Sequence, residues 1–269
     1  MRDALRAATT QLADVSETPR LDSELLMAHA LGTSRDALIL RHLDDPMPPA
    51  FADLVARRLR HEPVAYITGT RDFWTITLHV APGVLIPRPD SETLIEAAID
   101  RFAGTPGPRS VLDLGTGSGA LLLAALAEWP EATGIGIDAS DAAIAIARDN
   151  AERLSLTDRA QILRGDWTGH GGPHDLILCN PPYIGADEVL PRDVAQWEPA
   201  SALFAGADGL DDYRRIAAVL RPQLAPGGVA CIEIGATQAD SVAALFVEQE
   251  FTVTLARDLA GRARCLVVT

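Results

Sequence analysis

From about residue 90 to its end, the chain alternates short β-branched, apolar runs with helical segments, and few folds accept that order. "SVLDLG" reads as a strand, "ALLLAALAEWP" as a helix ended by proline, and "TGIGID" as a second strand. "SDAAIAIARDNAERL" follows as a helix capped by Ser140 with acids in its first turn, then "AQILRG" and "HDLILCN" as strands. A helix from about Asp211, the strand "GGVACIEIG", a helix from about Gln238, and the strands "FTVTLA" and "ARCLVVT" complete the series. Strands separated by helices pair in parallel and need both sheet faces covered. The expectation is therefore an α/β, doubly wound, Rossmann-like sheet with ligands at the carboxyl ends of its strands.

The residues before this series follow another pattern. "TPRLDSELLMAHALG" sets Leu21, Leu25 and Leu26 on one helical face, with His29 and Leu31 before Gly32 closes the segment. "PPAFADLVARRLRHEP" repeats Phe51, Leu54, Val55 and Leu59 at helical spacing. "FWTITLHVAPGVLIP", residues 73–87, alternates aromatic and β-branched residues around Ala81-Pro82-Gly83, which predicts a hairpin turning there. The domain reading is a small helical domain over 1–72, a β-hairpin linker over 73–89, and the sheet domain over 90–269.

Charge and cysteine usage narrow the function. The net charge is −14, and all 23 basic residues are arginine. A chain that neutralises many phosphates carries a basic face, so nucleic acid is not expected as a direct partner. No apolar run reaches the roughly 18 residues of a membrane span, and the N-terminus carries charges where a signal peptide is apolar; a cytoplasmic protein is expected. Cys179, Cys231 and Cys265 lie in separate apolar runs and read as buried free thiols. His170 and His174 lack a third ligand nearby, so no metal is expected.

Chemistry concentrates at strand ends. "VLDLGTGSGA" puts Gly115, Gly117 and Gly119, with Thr116 and Ser118 between them, where a strand gives way to a helix; missing side chains there let backbone approach a ligand. Asp138 closes the next strand about 20 residues on, where an acid can accept from ribose hydroxyls; it can equally cap the following helix. No GK[ST] follows the glycines, which excludes a P-loop. Asp166 and Trp167 end the third strand, as an acceptor for an exocyclic amine and an aromatic beside a ring, although the tryptophan also suits a core. Taken together, these residues predict a nucleoside site.

"NPPY", Asn180-Pro181-Pro182-Tyr183, ends the fourth strand. The Asn180 side-chain oxygen and the Pro181 carbonyl can both accept from an NH₂ group, the Pro-Pro backbone holds them rigidly, and Tyr183 can pack on a flat substrate face. Two acceptors that favour a tetrahedral nitrogen localise its lone pair toward an electrophile, so no strong base is needed. "PRPDSE", with Arg88, Asp90, Ser91 and Glu92, reads either as a solvated helix start or as a wall of the active site.

These motifs resemble S-adenosylmethionine-dependent methyltransferases that act on amide or amine nitrogen. With "EPVAYITGTRDFW", "LIPRPDSE", "EPASALFAGADGLDDYRRI" and "DLAGRAR", nearly the whole chain is similar to the release-factor glutamine methyltransferase family, PrmC/HemK. The resemblance implies a seven-stranded methyltransferase sheet and methylation of the side-chain amide nitrogen of the Gly-Gly-Gln glutamine in bacterial peptide-chain release factors. It further implies S-adenosylmethionine as cofactor, S-adenosylhomocysteine as product, and an N-terminal domain that docks the factor. Gly115 to Gly119, Asp138, Asp166, Trp167 and Asn180 then hold the cofactor, while Asn180, Pro181, Pro182, Tyr183 and Arg88 hold the substrate. Asn180, Pro181 and Tyr183 carry the transfer. Alternatives are a ribosomal-protein glutamine methyltransferase, an amino-adenine methyltransferase of nucleic acid, and a non-catalytic cofactor-binding scaffold. "PRPDSE" favours the release-factor branch over the ribosomal one.

Overall fold

The computed structural model describes residues 1–269, which divide into two compact units: Met1–Thr70 with Leu190–Trp197, and Arg71–Val189 with Glu198–Thr269. The sequence pattern instead puts 190–197 inside one continuous sheet domain, 90–269. No helix is long and apolar enough to cross a membrane.

The first unit contains α1 (Arg2–Gln11), α2 (Pro19–Leu31), the single turn α3 (Arg35–Ala37), α4 (Phe51–Arg58) and α5 (Val64–Thr68). Leu12, Leu26, Met27, Leu38 and Phe51 form its core. Proline opens α2, where its missing N–H is harmless, and Gly32, at φ 66°, ends it in the left-handed conformation that glycine tolerates. The buried face of α2 differs from the one expected. Leu21 is exposed and Leu25 half-buried, whereas Asp22, Ser23 and Glu24 are buried beside Leu26 and Met27. Ion pairing makes this possible: the Arg58 Nε donates to Asp22 at 2.8 Å, and Arg20 and Arg35 both reach Glu24. Arg58, itself buried, also meets Asp193 at 3.5 Å, which ties 190–197 to this unit. Periodicity reads such charges as solvated, which is how it misplaced the face.

The hairpin also sits elsewhere than expected. Strands β1 (Thr70–Phe73) and β2 (Ile76–His79) turn through Trp74-Thr75, with Trp74 at φ 53°. Ala81-Pro82-Gly83 lies beyond β2. A tryptophan with positive φ carries no turn signal; its backbone N–H donates to Glu92 Oε1 at 3.0 Å and its indole N–H to Glu128 Oε2 at 3.2 Å.

The second unit then alternates as expected: α6 (Glu92–Phe102), β3 (Ser110–Leu114), α7 (Ala120–Glu128), β4 (Thr133–Asp138), α8 (Asp141–Arg153), β5 (Ala160–Arg164) and β6 (His174–Cys179). After α9 (Arg192–Trp197), which belongs to the first unit, come α10 (Asp211–Val219), β7 (Leu224–Glu233), α11 (Ala239–Val247), β8 (Val253–Arg257) and β9 (Ala263–Val268). The seven-stranded sheet runs β5-β4-β3-β6-β7-β9-β8, with β9 antiparallel to both its neighbours and the others parallel. Strand residues alternate between faces. Val111, Leu176 and Cys231 pack with α6, α7 and α8, whereas Leu112, Ile177 and Ala230 pack with α10 and α11. All three cysteines are free and buried.

Because β3 to β7 are parallel, their carboxyl ends share one sheet edge. That edge carries Gly115, Asp138, the residues after Arg164, Asn180 and Glu233.

Candidate active site

A cavity of about 1020 Å³ opens at this edge. Gly115, Thr116, Gly117, Ser118, Asp138, Asp166, Trp167, Asn180 and Pro182 all line it. Gly119, Pro181, Tyr183 and Arg88 do not.

The glycine loop takes its form from conformations other residues resist: φ is +73° at Gly115, +55° at Gly117 and +85° at Gly119. A Cβ at Gly115 would sit 3.2 Å from the Trp167 ring and 3.9 Å from the Asn180 carbonyl oxygen, so loop, aromatic and NPPY segment converge there. A Cβ at Gly119 would strike Leu123 at 2.9 Å, which makes this glycine a packing requirement at the head of α7.

Asp138 serves the loop directly. Its Oδ2 accepts from the Gly117 N–H at 2.9 Å and its Oδ1 from the Ser140 N–H at 2.8 Å. The cap of α8 itself is Ser140, whose hydroxyl oxygen accepts from the Ala143 N–H at 3.4 Å. Asp166 is exposed, and Oδ1 accepts from both the Thr168 hydroxyl (2.6 Å) and its N–H (2.9 Å), which hold the carboxyl below its ordinary pKa. Trp167 donates from Nε1 to Asp212 Oδ1 at 2.9 Å, and its backbone carbonyl accepts from Gln223 Nε2 at 3.0 Å, so the indole is held at Nε1 and the backbone that carries it at the carbonyl.

Beneath the loop lies Asp113, on the strand face that packs against α7. Its Oδ2 accepts from the Thr116 hydroxyl at 2.6 Å and from the Leu122 N–H at 3.2 Å, joining the loop to the first turn of α7, while Oδ1 is buried with no partner. Burial pushes its pKa up to about 7 against those two hydrogen bonds.

In the NPPY segment, Asn180 donates from Nδ2 to Ser91 Oγ at 3.1 Å, which leaves Oδ1 to accept from whatever enters the cavity. Pro181 is buried. Tyr183 is half-buried against the core on the α10 and α11 face of the sheet, and its carbonyl accepts from Gln238 Nε2 at 2.9 Å; burial, with the nearby Glu233 charge, pushes its phenol up to about 12. Arg88 is ion-paired with Glu198, whose other oxygen accepts from the Ile86 N–H at 3.0 Å.

Two residues of this site carried no usable signal in sequence, and a third only an ambiguous one. Glu198 is buried, yet its partners lie more than a hundred positions away. Glu233, in "CIEIG", reads as one more strand residue. Ser91, read as solvated in the helix-start alternative, is buried and lines the cavity, while Glu92 is half-buried beside Trp74.

The cavity fits a nucleoside cofactor on its own terms. It has a glycine cradle, a carboxylate at the end of the second strand and an aromatic at the end of the third. A seven-stranded sheet with β9 reversed and such a cradle at its carboxyl edge defines an S-adenosylmethionine-dependent methyltransferase. Solved structures share the fold: a methyltransferase from Pyrococcus furiosus, 16% identical with TM-score 0.56, aligns over 81% of this chain and 98% of its own. A T. thermophilus 16S rRNA methyltransferase in complex with AdoMet and guanosine, 23% identical with TM-score 0.50, aligns over 74% of this chain and 49% of its own.

Sequence relationships narrow this further. Residues 3–69 match the PrmC N-terminal domain and residues 91–196 the methyltransferase small domain. Release factor glutamine methyltransferases from Rhodospirillum rubrum and Cereibacter sphaeroides are each 44% identical, over 93% and 97% of this chain and 79% and 95% of their own. That of Mycolicibacterium smegmatis is 40% identical over 100% of this chain and 97% of its own. The chain belongs to the release factor glutamine methyltransferase family.

Proposed function

We propose that this protein methylates the side-chain amide nitrogen of the glutamine in the Gly-Gly-Gln motif of bacterial release factors. One observation carries the reading: the glycine loop and the Asn180 backbone meet at Gly115, and both line one cavity, so a donor held by the loop lies beside an amide held by NPPY. Family membership supplies the substrate class.

S-adenosylmethionine, when bound, supplies an electrophilic methyl group and leaves as S-adenosylhomocysteine. Gly115 to Gly119, Asp138, Asp166 and Trp167 are the residues to hold it. Asn180 Oδ1 and the Pro181 carbonyl accept from the substrate NH₂ and bias its nitrogen toward a tetrahedral form. Pro182 and Tyr183 keep that backbone rigid, and Glu198 fixes Arg88. The nitrogen loses its proton to solvent only after it has gained the methyl group and become acidic, so no side chain is needed as a strong base. The chemistry calls for no metal, and the acidic charge disfavours nucleic acid as substrate.

The helical domain is proposed to dock the factor. Binding energy gathered there orients the glutamine, so a short Gly-Gly-Gln peptide should be a far poorer substrate than intact factor. The test is incubation with methyl-labelled S-adenosylmethionine and intact release factors, followed by mass mapping. Label on the Gly-Gly-Gln glutamine is expected. Label on a ribosomal-protein glutamine or on adenine in nucleic acid would replace this reading with one of its alternatives, and no transfer at all would leave a scaffold.

A further inference from the structure

Strand β1 carries a guanidinium that no ion pair covers. Arg71 and Phe73 stand two residues apart on it, so their side chains leave the same face. Phe73 is buried and lines the cavity, and Arg71, half-buried, sits one step along that face. Its Nε donates at 3.1 Å to the carbonyl of Pro87, which also lines the cavity. Nη1 and Nη2 make no hydrogen bond, yet neither is sealed from solvent. Two acids of this region have other partners: Asp72 Oδ1 accepts from the Thr77 hydroxyl at 2.7 Å, and Glu92 Oε1 from the Trp74 N–H at 3.0 Å. By contrast, the half-buried Arg88 and Arg264 each meet a carboxylate, on Glu198 and Asp90.

A guanidinium with open N–H groups calls for acceptors. The prolines that line the cavity, Pro87, Pro182 and Pro199, have no backbone N–H, so none of them can hold a substrate carbonyl. In the Gly-Gly-Gln motif the glycines present no side chain, so only their main chain can be gripped, and its carbonyl oxygens need donors. We propose that Arg71 is a substrate-binding residue, its Nη groups donating to the main-chain carbonyl oxygens of the glycines that precede the target glutamine. This rests on the reading of function given above. Charge-assisted bonds of this kind are stronger than neutral ones, and the planar guanidinium holds its donors in a fixed fork that can serve two successive acceptors. The main chain leading to the glutamine is then held at Arg71 while Asn180 and the Pro181 carbonyl hold its amide, so both ends of the residue are positioned together.

Two other roles leave different marks. An arginine that only props Pro87 acts through Nε, and its Nη groups are dispensable. An arginine that takes a carboxylate of the substrate is indifferent to the glycine carbonyls. Glutamine separates the first role from the proposed one: its Nε2 stands where the arginine Nε does and can still donate to Pro87, but the Nη groups are gone. Sulfur in place of a carbonyl oxygen separates the second, because it weakens that one acceptor and leaves the charges of the peptide as they were.

The test compares the full-length parent with Arg71→Gln and Arg71→Met, on intact release factor and on Gly-Gly-Gln peptides whose glycine carbonyl oxygens are replaced by sulfur one at a time. It measures kcat/KM for methyl transfer and affinity for S-adenosylhomocysteine. In the parent, at least one sulfur peptide should be about tenfold poorer than its oxygen counterpart. Arg71→Gln should lose about ten- to a hundredfold in kcat/KM on the oxygen peptide and on intact factor, with cofactor affinity unchanged. In that variant sulfur should cost nothing further, because the bond it weakens is already absent. Arg71→Met carries the same comparison if Arg71→Gln does not fold. Parent-like kcat/KM in Arg71→Gln, a sulfur effect of full size in either folded variant, or a parent indifferent to sulfur at both glycines would overturn the role of Arg71 alone. A parent that labels no glutamine, in peptide or in intact factor, would overturn the functional reading together with it.

Discussion

Asp138 Oδ2 accepts a hydrogen bond from the Gly117 backbone N–H at 2.9 Å, so the carboxylate expected to hold ribose hydroxyls also ties down the loop that faces them. One side chain thus links two parts of the cofactor site. Asp138→Ala should weaken S-adenosylhomocysteine binding by about one to two decades, the equivalent of about 1.5–3 kcal/mol for a charge-assisted acceptor. Calorimetric titration measures it. Unchanged affinity in a folded variant would reduce Asp138 to its bond with Ser140.

Gly115 couples the loop to Trp167. At φ +73°, an added Cβ is strained by about 1–2 kcal/mol and lies 3.2 Å from an indole held at Nε1 by Asp212 on a backbone anchored by Gln223. Gly115→Ala should therefore lose that stability in denaturant titration, alter tryptophan fluorescence and weaken cofactor binding together. Parent-like affinity would show that the ring and loop can separate without consequence.

Asn180→Ala separates binding from transfer. It removes the amide acceptor while Asp138 and the glycines remain, so kcat should fall by about two decades or more with cofactor affinity changed far less. Single-turnover rates and calorimetry on the same variant read the two effects. Transfer within a few-fold of the parent would move the acceptor role to the Pro181 carbonyl.

How much of this was legible in sequence follows from the range of each interaction. The sheet, the glycine loop, Asp138, Trp167 and Asn180 were readable because each follows a strand within a residue or two, and parallel order brings strand ends to one edge. Glu198 with Arg88, and Ser91 with Asn180, were not, because these pairings join residues 110 and 89 positions apart. The face of α2 was misread for a related reason: Asp22 and Glu24 are buried by arginines that a helical period cannot see. The hairpin turn was misplaced because Trp74 takes a positive φ that glycine would have advertised.

Asp113 predicts a pH signature in stability. Its pKa rises from 3.8 to about 7 on folding, chiefly through burial. Between those values the folded chain keeps a proton that the unfolded chain has released, so stability is greatest at the acid end of the window and is lost as pH rises, by up to about 1.4 kcal/mol per pH unit. Above about 7 both states are ionised and this contribution stops changing. Glu233 adds a slope of the same sign over the same range, whereas lowered carboxyls such as Asp166 act in the opposite sense at lower pH. In Asp113→Asn the amide oxygen can still accept from Thr116 and Leu122, but no proton is exchanged. Urea unfolding from pH 5 to 8 should therefore show the variant gaining on the parent by a few kcal/mol as pH rises, then running parallel to it. Parallel curves throughout the range would mean that Asp113 is ionised in the folded protein at every pH tested, and that Thr116 and Leu122 outweigh its burial.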